Sequence, residues 1–474
     1  MSRSLRIAAA AAVALAALSL LLPYQPVYDP WGWLVWGREL VHLDLATEAG
    51  PSWKPLPVFV DAPFSLLGEA APEAWLLVAR TGWLLAPALA AWLVARLAGP
   101  EAGRWRYAGA ALAAASVALT GDAFTPPTRQ FTGGLSEPMG VALILAAVAV
   151  ALERRPVAAL WLGAAASLLR PECWAFLAAW AVWEIRRERR GEAVREMPGR
   201  GEESSLLSHA LAAAILIPLA WFAPDLIGAG NPLEGSETAR NGGLELSEIA
   251  DVFGRALIAP LAAIWIGVAL FARQADGATF CPLYRGTKRC TRGGEGVRPG
   301  GDAVVWGLLA GAFAWIALVA VMAVAGFAGL PRFLAPATAV IAVVGGVGFA
   351  RAGAARGALA TIAIAALVLG AGGFALRAVQ IPDDLRTVNR QSNSIDALFG
   401  QIDRIGSDRL LACGNRVGVT QLLVQTPVAW KLDLPISAVP VVRRRGARTW
   451  LALPAPEGTA ARLALPARGT RCPR

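Results

Sequence analysis

The sequence of 474 residues has little charge, few histidines and few cysteines. Only 16% of its residues are charged, against about 25% in ordinary soluble proteins, so charge cannot cover a soluble body of this size. Its two histidines, His42 and His209, nearly exclude a histidine-based metal site. Five cysteines are too few for a disulfide framework. These shortages exclude a water-soluble globular protein and a disulfide-stapled scaffold.

Apolar residues, in contrast, make up 56% of the chain and come in blocks with few interior charges. A block of about twenty residues is long enough to cross the ~30 Å hydrocarbon core of a bilayer as a helix. We therefore predict an α-helical polytopic membrane protein with about 11 transmembrane helices. The predicted spans are 5–23, 72–95, 107–121, 136–152, 156–170, 171–185, 205–223, 255–272, 303–326, 333–350 and 357–377.

The net charge of +10 could indicate a nucleic-acid partner, so its distribution matters. With a cytoplasmic N-terminus, the loops placed inside hold 21 Lys and Arg residues and the outer loops before the tail hold 7. This bias is the positive-inside rule, and it explains the basic charge without nucleic acid. The first span ends in Leu22-Pro23-Tyr24 without a small-x-small cleavage site, which favours a retained signal anchor.

The pair of spans at 156–170 and 171–185 has an alternative, a single broken helix of thirty residues. That helix would place Arg154-Arg155 and the arginines of 186–190 on opposite sides of the membrane, against the charge rule. We therefore expect a hairpin whose apex, Arg170-Pro171-Glu172, lies near the outer face.

After about residue 380 the apolar runs become short and are cut by glycine and proline. We therefore divide the chain into a multi-span membrane domain, 1–379, and a small extracytoplasmic C-terminal α/β domain, 380–474. Within it we expect a helix at 395–405 and strands at 410–412, 449–453 and 462–465. Its two cysteines, Cys413 and Cys472, either pair with each other or remain free thiols.

Charged motifs fall at the outer ends of several spans. The first outer loop, 24–71, begins with Asp29-Pro30, continues through an aromatic stretch at 31–40 and then reads Lys54-Pro55-Leu56-Pro57. Ser136-Glu137-Pro138 opens the fourth span, Arg170-Pro171-Glu172 forms the hairpin apex, and Pro331-Arg332-Phe333 opens a late span. This ordered set, across most of residues 1–350, resembles the GT-C superfamily of membrane glycosyltransferases.

The resemblance implies a polyprenyl-phosphate sugar as donor and an extracytoplasmic acceptor, such as a cell-envelope glycan, lipid or protein. Two departures from the family pattern leave the precise subfamily open. Many relatives carry two adjacent acids in the first loop, where this chain has Asp29-Pro30, and relatives of the aminoarabinose-transferase type often show Lys-Pro-Pro, where this chain has Lys54-Pro55-Leu56-Pro57. A divalent metal therefore stays open as a cofactor, and we assign it no ligands.

The chemistry of sugar transfer assigns roles to these residues. A carboxylate must accept the proton of the attacking hydroxyl, and Asp29 at the outer interface is the first candidate; the plain alternative is a helix-capping acid. Glu137 and Asp122 are competing carboxylates. Glu137, at the start of a helix, also suits the plain role of complementing the helix dipole.

Cations must stabilise the departing phosphate, and Lys54 and Arg332 are the candidates among the few outward cations. Arg332 is also an ordinary snorkelling arginine. Arg170 and Glu172 either contact substrate or simply pair with each other. Trp31 either stacks on a sugar or belongs to the interfacial aromatic belt.

Two other classes of protein compete with the transferase. A lipid or glycan transporter or flippase would show ionisable residues at mid-span and repeated halves, and the sequence shows neither. A non-catalytic scaffold that presents the tail is the third class. The Ala- and Arg-rich, Lys-poor composition is typical of a high-GC bacterium, so we expect a multi-pass protein of the bacterial plasma membrane.

Overall fold

The computed structural model describes residues 3–119, 126–190, 206–240, 245–257, 261–277, 300–355, 357–411, 417–419, 421–441, 450–453 and 462–464. Within these ranges the chain is mainly helical. The first half contains α1 (Arg3–Ser19), α2 (Tyr28–His42), α3 (Pro55–Phe64), α4 (Ala71–Leu97), α5 (Trp105–Leu119), α6 (Pro127–Thr132), α7 (Glu137–Leu152), α8 (Pro156–Ser167) and α9 (Cys173–Arg189).

The second half continues the bundle. It contains α10 (Leu206–Ala229), α11 (Glu234–Ala239), α12 (Leu246–Leu257), α13 (Ala262–Gly277), α14 (Gly300–Val324), α15 (Ala335–Ala354) and α16 (Ala358–Ile405). Every predicted span overlaps a helix, and the span predicted at 255–272 overlaps two, α12 and α13. Five helical segments of the described chain are long and apolar enough to cross a membrane, so the protein is a multi-pass membrane protein; the count of 11 stays a prediction.

Proline marks the points where several of these helices begin. It occupies the first helical positions of α3, α4, α7, α8 and α15, where its missing N–H costs no hydrogen bond and its fixed φ suits a helix. The charged residues Lys54 and Glu137 stand immediately before such prolines, and Arg332 follows another in the 3₁₀ turn Pro331–Leu334. The sequence thus places charged side chains at helix starts.

The predicted hairpin is present. Gly163 of α8 lies against Leu177 of α9, and Leu160, farther from the turn, clusters with Ala181, also farther from the turn, so the two helices are antiparallel. The helices are separated at residues 168–172, and Trp174 Nε1 donates to Ser167 O across the turn at 3.2 Å. Arg170 and Glu172 therefore lie at the apex.

Residues that the predicted topology assigns to opposite sides of the membrane lie at opposite ends of the helical bundle. At the end predicted to face the cytoplasm, Arg351 contacts Asp302 at 2.6 Å and donates to Leu97 O at 3.0 Å. The motif residues collect at the other end. The structure therefore agrees with the predicted threading, whereas the side of the membrane that each end faces stays a prediction.

The C-terminal part contains α17 (Ser407–Leu411), β1 (Val417–Val419), α18 (Leu422–Lys431), β2 (Trp450–Leu453) and β3 (Arg462–Ala464). The strands form one sheet in the order β1-β2-β3, in which β1 is parallel to β2 and β3 is antiparallel to β2. The strands predicted at 449–453 and 462–465 match β2 and β3. The helix predicted at 395–405 is the end of α16, which runs unbroken across residue 380, so the boundary at 380 stays a prediction.

One predicted strand is wrong. Leu410 and Leu411 belong to helix α17, which follows Gly406, a residue with φ of 84° that ends α16. Leu410 is buried, so its apolar character reflects helix packing against the core rather than strand pairing. Cys413 and Cys472, with their possible pairing, lie outside the described residues.

Candidate functional site

Charged residues from five separate segments meet at one end of the bundle, the end opposite Arg351 and Asp302. Arg332 is central: its Nη2 lies 3.6 Å from Asp29 Oδ2, and its Nε lies 3.6 Å from Glu137 Oε1. Lys54 Nζ reaches the same Glu137 oxygen at 3.6 Å. The sequence predicted each of these four residues as a site residue, and the structure brings them into one cluster.

Lys54 is held by three different kinds of contact. Its ammonium donates to Ser136 Oγ at 3.1 Å, pairs with Glu137 and lies 5.1 Å from the centre of the Trp33 ring. Burial lowers the pKa of Lys54, and the negative charges of Glu137 and Asp29 oppose that shift. Ser136 belongs to the motif Ser136-Glu137-Pro138 and Trp33 to the aromatic stretch at 31–40, but neither was predicted as a site residue.

Arg170 and Glu172 join the edge of this cluster. Arg170 Nη2 lies 3.7 Å from Glu172 Oε1, and its guanidinium lies 4.0 Å from the centre of the Phe333 ring. The Nε and Nη2 atoms of Arg170 are buried and donate no hydrogen bond in the described part of the chain. The pair that the sequence allowed is therefore formed, and the guanidinium keeps unused donors.

Trp31 and Asp122 differ from the other predicted residues. Trp31 is 5% exposed and packs against Phe399 and Trp430, with ring centres 5.9 and 6.3 Å away. It lies in the contact between α2 and the C-terminal part, where packing accounts for it. Asp122 lies outside the described residues.

The carboxylates in the cluster differ in exposure. The Glu137 side chain is 3% exposed between Lys54 and Arg332, whereas the Asp29 side chain is 20% exposed. Glu137 is therefore placed to hold the two cations, and Asp29 is the acid that a second molecule can reach.

A cavity that is partly open to its surroundings adjoins the cluster through Arg332. Its walls come from α4, α5, α6, α7, α12, α15 and the 3₁₀ turn before α15. Its polar lining, apart from Arg332, consists of Gln130 and Thr338. Most of the lining is apolar: Trp83, Ala86, Val117, Pro138, Val141, Ala256, Pro331, Ala335 and Ala339. Sequence reasoning missed this cavity, because its residues come from helices far apart along the chain.

A divalent metal would need several carboxylate, imidazole or thiolate ligands close together. Within the described ranges, no group of three or more His, Cys, Asp or Glu side chains could hold a metal ion. Asp29 and Glu137, the nearest pair of acids, are bridged by the Arg332 guanidinium. The position between them is thus filled by a protein cation, and these residues do not fit a divalent metal.

The solved structure of ArnT from Cupriavidus metallidurans bound to undecaprenyl phosphate superposes on this chain with a TM-score of 0.51, at 14% sequence identity, covering 94% of this chain and 92% of ArnT. This chain has the fold of ArnT. ArnT in the apo state gives a TM-score of 0.47 at the same identity and coverage. No family model and no curated protein matches the sequence.

At 14% identity, the likeness to ArnT shows the fold alone. The resemblance drawn from the motifs is therefore confirmed for the fold. The roles of individual residues do not follow from this likeness.

Proposed function

We propose that this protein is a membrane glycosyltransferase that moves a sugar from a polyprenyl-phosphate donor to an extracytoplasmic acceptor, a cell-envelope glycan, lipid or protein. The observation that carries the proposal is the mostly apolar cavity lined in part by Arg332, the residue that also contacts Asp29 and Glu137. Apolar walls beside a cluster of cations match a molecule with an isoprenoid tail and a phosphate head. The undecaprenyl phosphate bound to ArnT supports the same donor class.

The cations suit the phosphate of such a donor. Arg332 and Lys54 share Glu137 at 3.6 Å, which is longer than a charge-assisted hydrogen bond of ~2.8 Å. A phosphate oxygen can therefore pair with these two cations without breaking a tight ion pair to Glu137. Arg170, with its unused N–H donors, supplies a third cation at the edge of the cluster.

The reaction then needs a base, and Asp29 is placed for that role. The acceptor hydroxyl attacks the anomeric carbon, and its proton passes to the Asp29 carboxylate. The bond between the anomeric carbon and the phosphate oxygen breaks, and the electron pair stays on the polyprenyl phosphate, where Lys54 and Arg332 stabilise the charge. Attack from the face opposite the phosphate inverts the anomeric carbon.

The location follows from the topology that we propose. With the N-terminus in the cytoplasm, the cluster and the C-terminal domain lie on the outer face of a bacterial plasma membrane. The lipid bilayer supplies the donor, and the envelope supplies the acceptor. The proposal involves no nucleic acid.

The test separates the base from the phosphate-binding cation. Asp29→Asn should lower the single-turnover rate and leave donor affinity nearly unchanged, because the base acts mainly in the transition state. Lys54→Ala should weaken donor affinity as well as the rate, because the cation contacts phosphate in both states. Both quantities are measured in nanodiscs with polyprenyl-phosphate sugar.

Two variants on the exposed face of α16, Asp383→Asn and Arg386→Ala, are the matched controls, since these side chains are 77% and 76% exposed and pair only at the surface. A loss of donor binding in Asp29→Asn with its turnover intact would overturn the assigned roles. A wild-type protein that binds the lipid and transfers no sugar would favour the carrier class instead.

A further inference from the structure

The first turn of α2, which carries Asp29, is attached on two sides. On the membrane side, Gln25 N donates to Thr132 O at 3.2 Å and Val27 N donates to Gly133 O at 3.1 Å. On the other side, the hydroxyl of Tyr28 donates to Gln425 Oε1 at 2.9 Å. Thr426 Oγ1 donates to the Tyr28 carbonyl, also at 2.9 Å. The last two contacts join residues nearly 400 positions apart.

On the C-terminal side of this attachment, Gln425 and Thr426 are themselves held by packing and hydrogen bonds. Thr426 is fully buried in α18, and its methyl group lies 3.5 Å from the position that a Cβ on Gly32 would occupy. The Gln425 amide is fixed by a second bond, from its Nε2 to Val439 O at 2.8 Å. Burial, and the nearby charge of Asp29, raise the pKa of Tyr28, so its phenol remains a donor.

We propose that Gln425 and Thr426 are positioning residues that hold the first turn of α2 and thereby fix Asp29 opposite Arg332. The inference rests on the proposed function, since it concerns the base of that reaction. The residue before the helix, Val27, supplies no side-chain cap, so the contacts of Tyr28 with Gln425 and Thr426 are the side-chain bonds that hold this turn. A proton acceptor must lie within ~3 Å of the hydroxyl that it serves, and an error of 1 Å costs about a hundredfold in rate.

The far end of α2 has its own attachment, which serves as an internal comparison. Arg38 donates to Trp430 O and Leu434 O, both at 3.1 Å, and pairs with Asp433 at 2.9 Å. Nine residues separate Arg38 from Asp29, a rise of about 14 Å along the helix. This attachment fastens α2 to α18 without reaching the carboxylate, so it should matter for stability more than for the rate.

The experiment compares Thr426→Val with Thr426→Ser and with Thr387→Val, an exposed threonine on α16. Thr426→Val keeps the shape and loses the hydroxyl, so we expect a rate at saturating donor about tenfold to a hundredfold lower. Donor affinity should stay within about twofold, because the cations are untouched. Thr426→Ser should restore the rate, and Thr387→Val should match the wild type.

A second readout does not depend on catalysis. Hydrogen exchange of the amides at 31–33, in the first two turns of α2, should be faster in Thr426→Val than in the wild type and normal in Thr426→Ser. Tyr28→Phe, which removes only the bond to Gln425, should show a smaller change in the same direction. This variant keeps the test available if Thr426→Val does not fold.

Several results would overturn the inference. They are a wild-type rate in Thr426→Val, an equal fall in Thr426→Val and Thr426→Ser, or a donor affinity that falls together with the rate. Failure of the proposed function looks different, because the wild-type protein itself would then transfer no sugar. In that case, unchanged hydrogen exchange at 31–33 in Thr426→Val would still exclude the role of Gln425 and Thr426 in holding α2, and faster exchange would support it.

Discussion

The helices α15 and α16 are neighbours in the chain and both strongly apolar, yet their surroundings are opposite. The span Pro331–Ala354 has 83% of its apolar window buried inside the protein, whereas the corresponding window of α16 has 11% buried. The buried span begins with Arg332 and lines the cavity. Hydropathy does not distinguish the two helices. What marks α15 as the central helix, the one that supports the site, is how closely other helices approach it.

Glycine allows this close approach. A Cβ on Gly348 would lie 2.0 Å from Gly267 O of α13, and a Cβ on Gly345 would lie 2.5 Å from Ile264 O. Within membranes, small residues let helix backbones pack directly against each other. On α16, in contrast, a Cβ on Gly372 would meet nothing within 4 Å. The same residue type therefore has a packing role in one helix and none in the other.

The largest effect that we expect comes from this pair of glycines. Gly348→Ala should destabilise the protein by about 3 kcal/mol or more, because the clash is with backbone that cannot rotate away. Gly372→Ala should be neutral or slightly stabilising, because alanine is the better helix former. Thermal unfolding of the two variants in detergent measures the difference, and equal unfolding temperatures would contradict the packing account.

The second effect compares arginines on the same two segments. Arg332→Gln should weaken polyprenyl-phosphate binding by about tenfold to a hundredfold, since a charged hydrogen bond contributes about 1.5–3 kcal/mol. Arg377→Gln, on the exposed face of α16, should bind the lipid as the wild type does. Binding is measured by titration in nanodiscs. An unchanged affinity in Arg332→Gln would show that Arg332 does not hold the lipid phosphate.

Enclosure also changes how an acid behaves with pH. Glu39 in α2 is 4% exposed, and burial raises its pKa to about 7. Because this pKa lies above that of the unfolded chain, the folded state binds the proton more tightly. The stability that the folded state gains from this proton on Glu39 is complete below about pH 4.5 and is lost as the pH rises through 7.

Relative to Glu39→Gln, the wild type should therefore lose about 1–2 kcal/mol of stability between pH 5 and pH 8. Asp383→Asn, which changes an acid at an exposed position of α16, is the control variant. Unfolding temperatures of the three proteins at both pH values decide the matter. Parallel profiles for wild type and Glu39→Gln would show that Glu39 is not enclosed.

The smallest effect concerns the exposed pair of Asp383 and Arg386 on α16. Their side chains are 77% and 76% exposed, so Arg386→Ala should change the free energy of unfolding by less than about 0.5 kcal/mol. The same unfolding assay measures it. A loss of 2 kcal/mol would indicate that this face of α16 is covered in the native protein.

Much of the site could be predicted, because local sequence fixes where its residues stand. Prolines start the helices next to Lys54, Glu137 and Arg332, and the parity of the spans brings those starts to one end of the bundle. A charge at the outer end of a span is then a site candidate from the sequence alone. The structure brings Asp29, Lys54, Glu137 and Arg332 together as expected.

The remainder depends on contacts between distant segments. Leu410 and Leu411 form a short apolar run that fits a strand or a buried helix equally well, and packing against the core selected the helix. The contacts of Tyr28 with Gln425 and Thr426 have no local signal at either end. The cavity was missed for the same reason, since no single helix contains enough of it to form a pattern.

The most direct test of the central claim is a density map of the protein with polyprenyl phosphate bound in a nanodisc. The account predicts that the phosphate contacts Lys54 and Arg332, that the isoprenoid chain lies in the cavity along Trp83 and Val141, and that Asp29 remains open to an acceptor. A phosphate far from both Lys54 and Arg332 would contradict it.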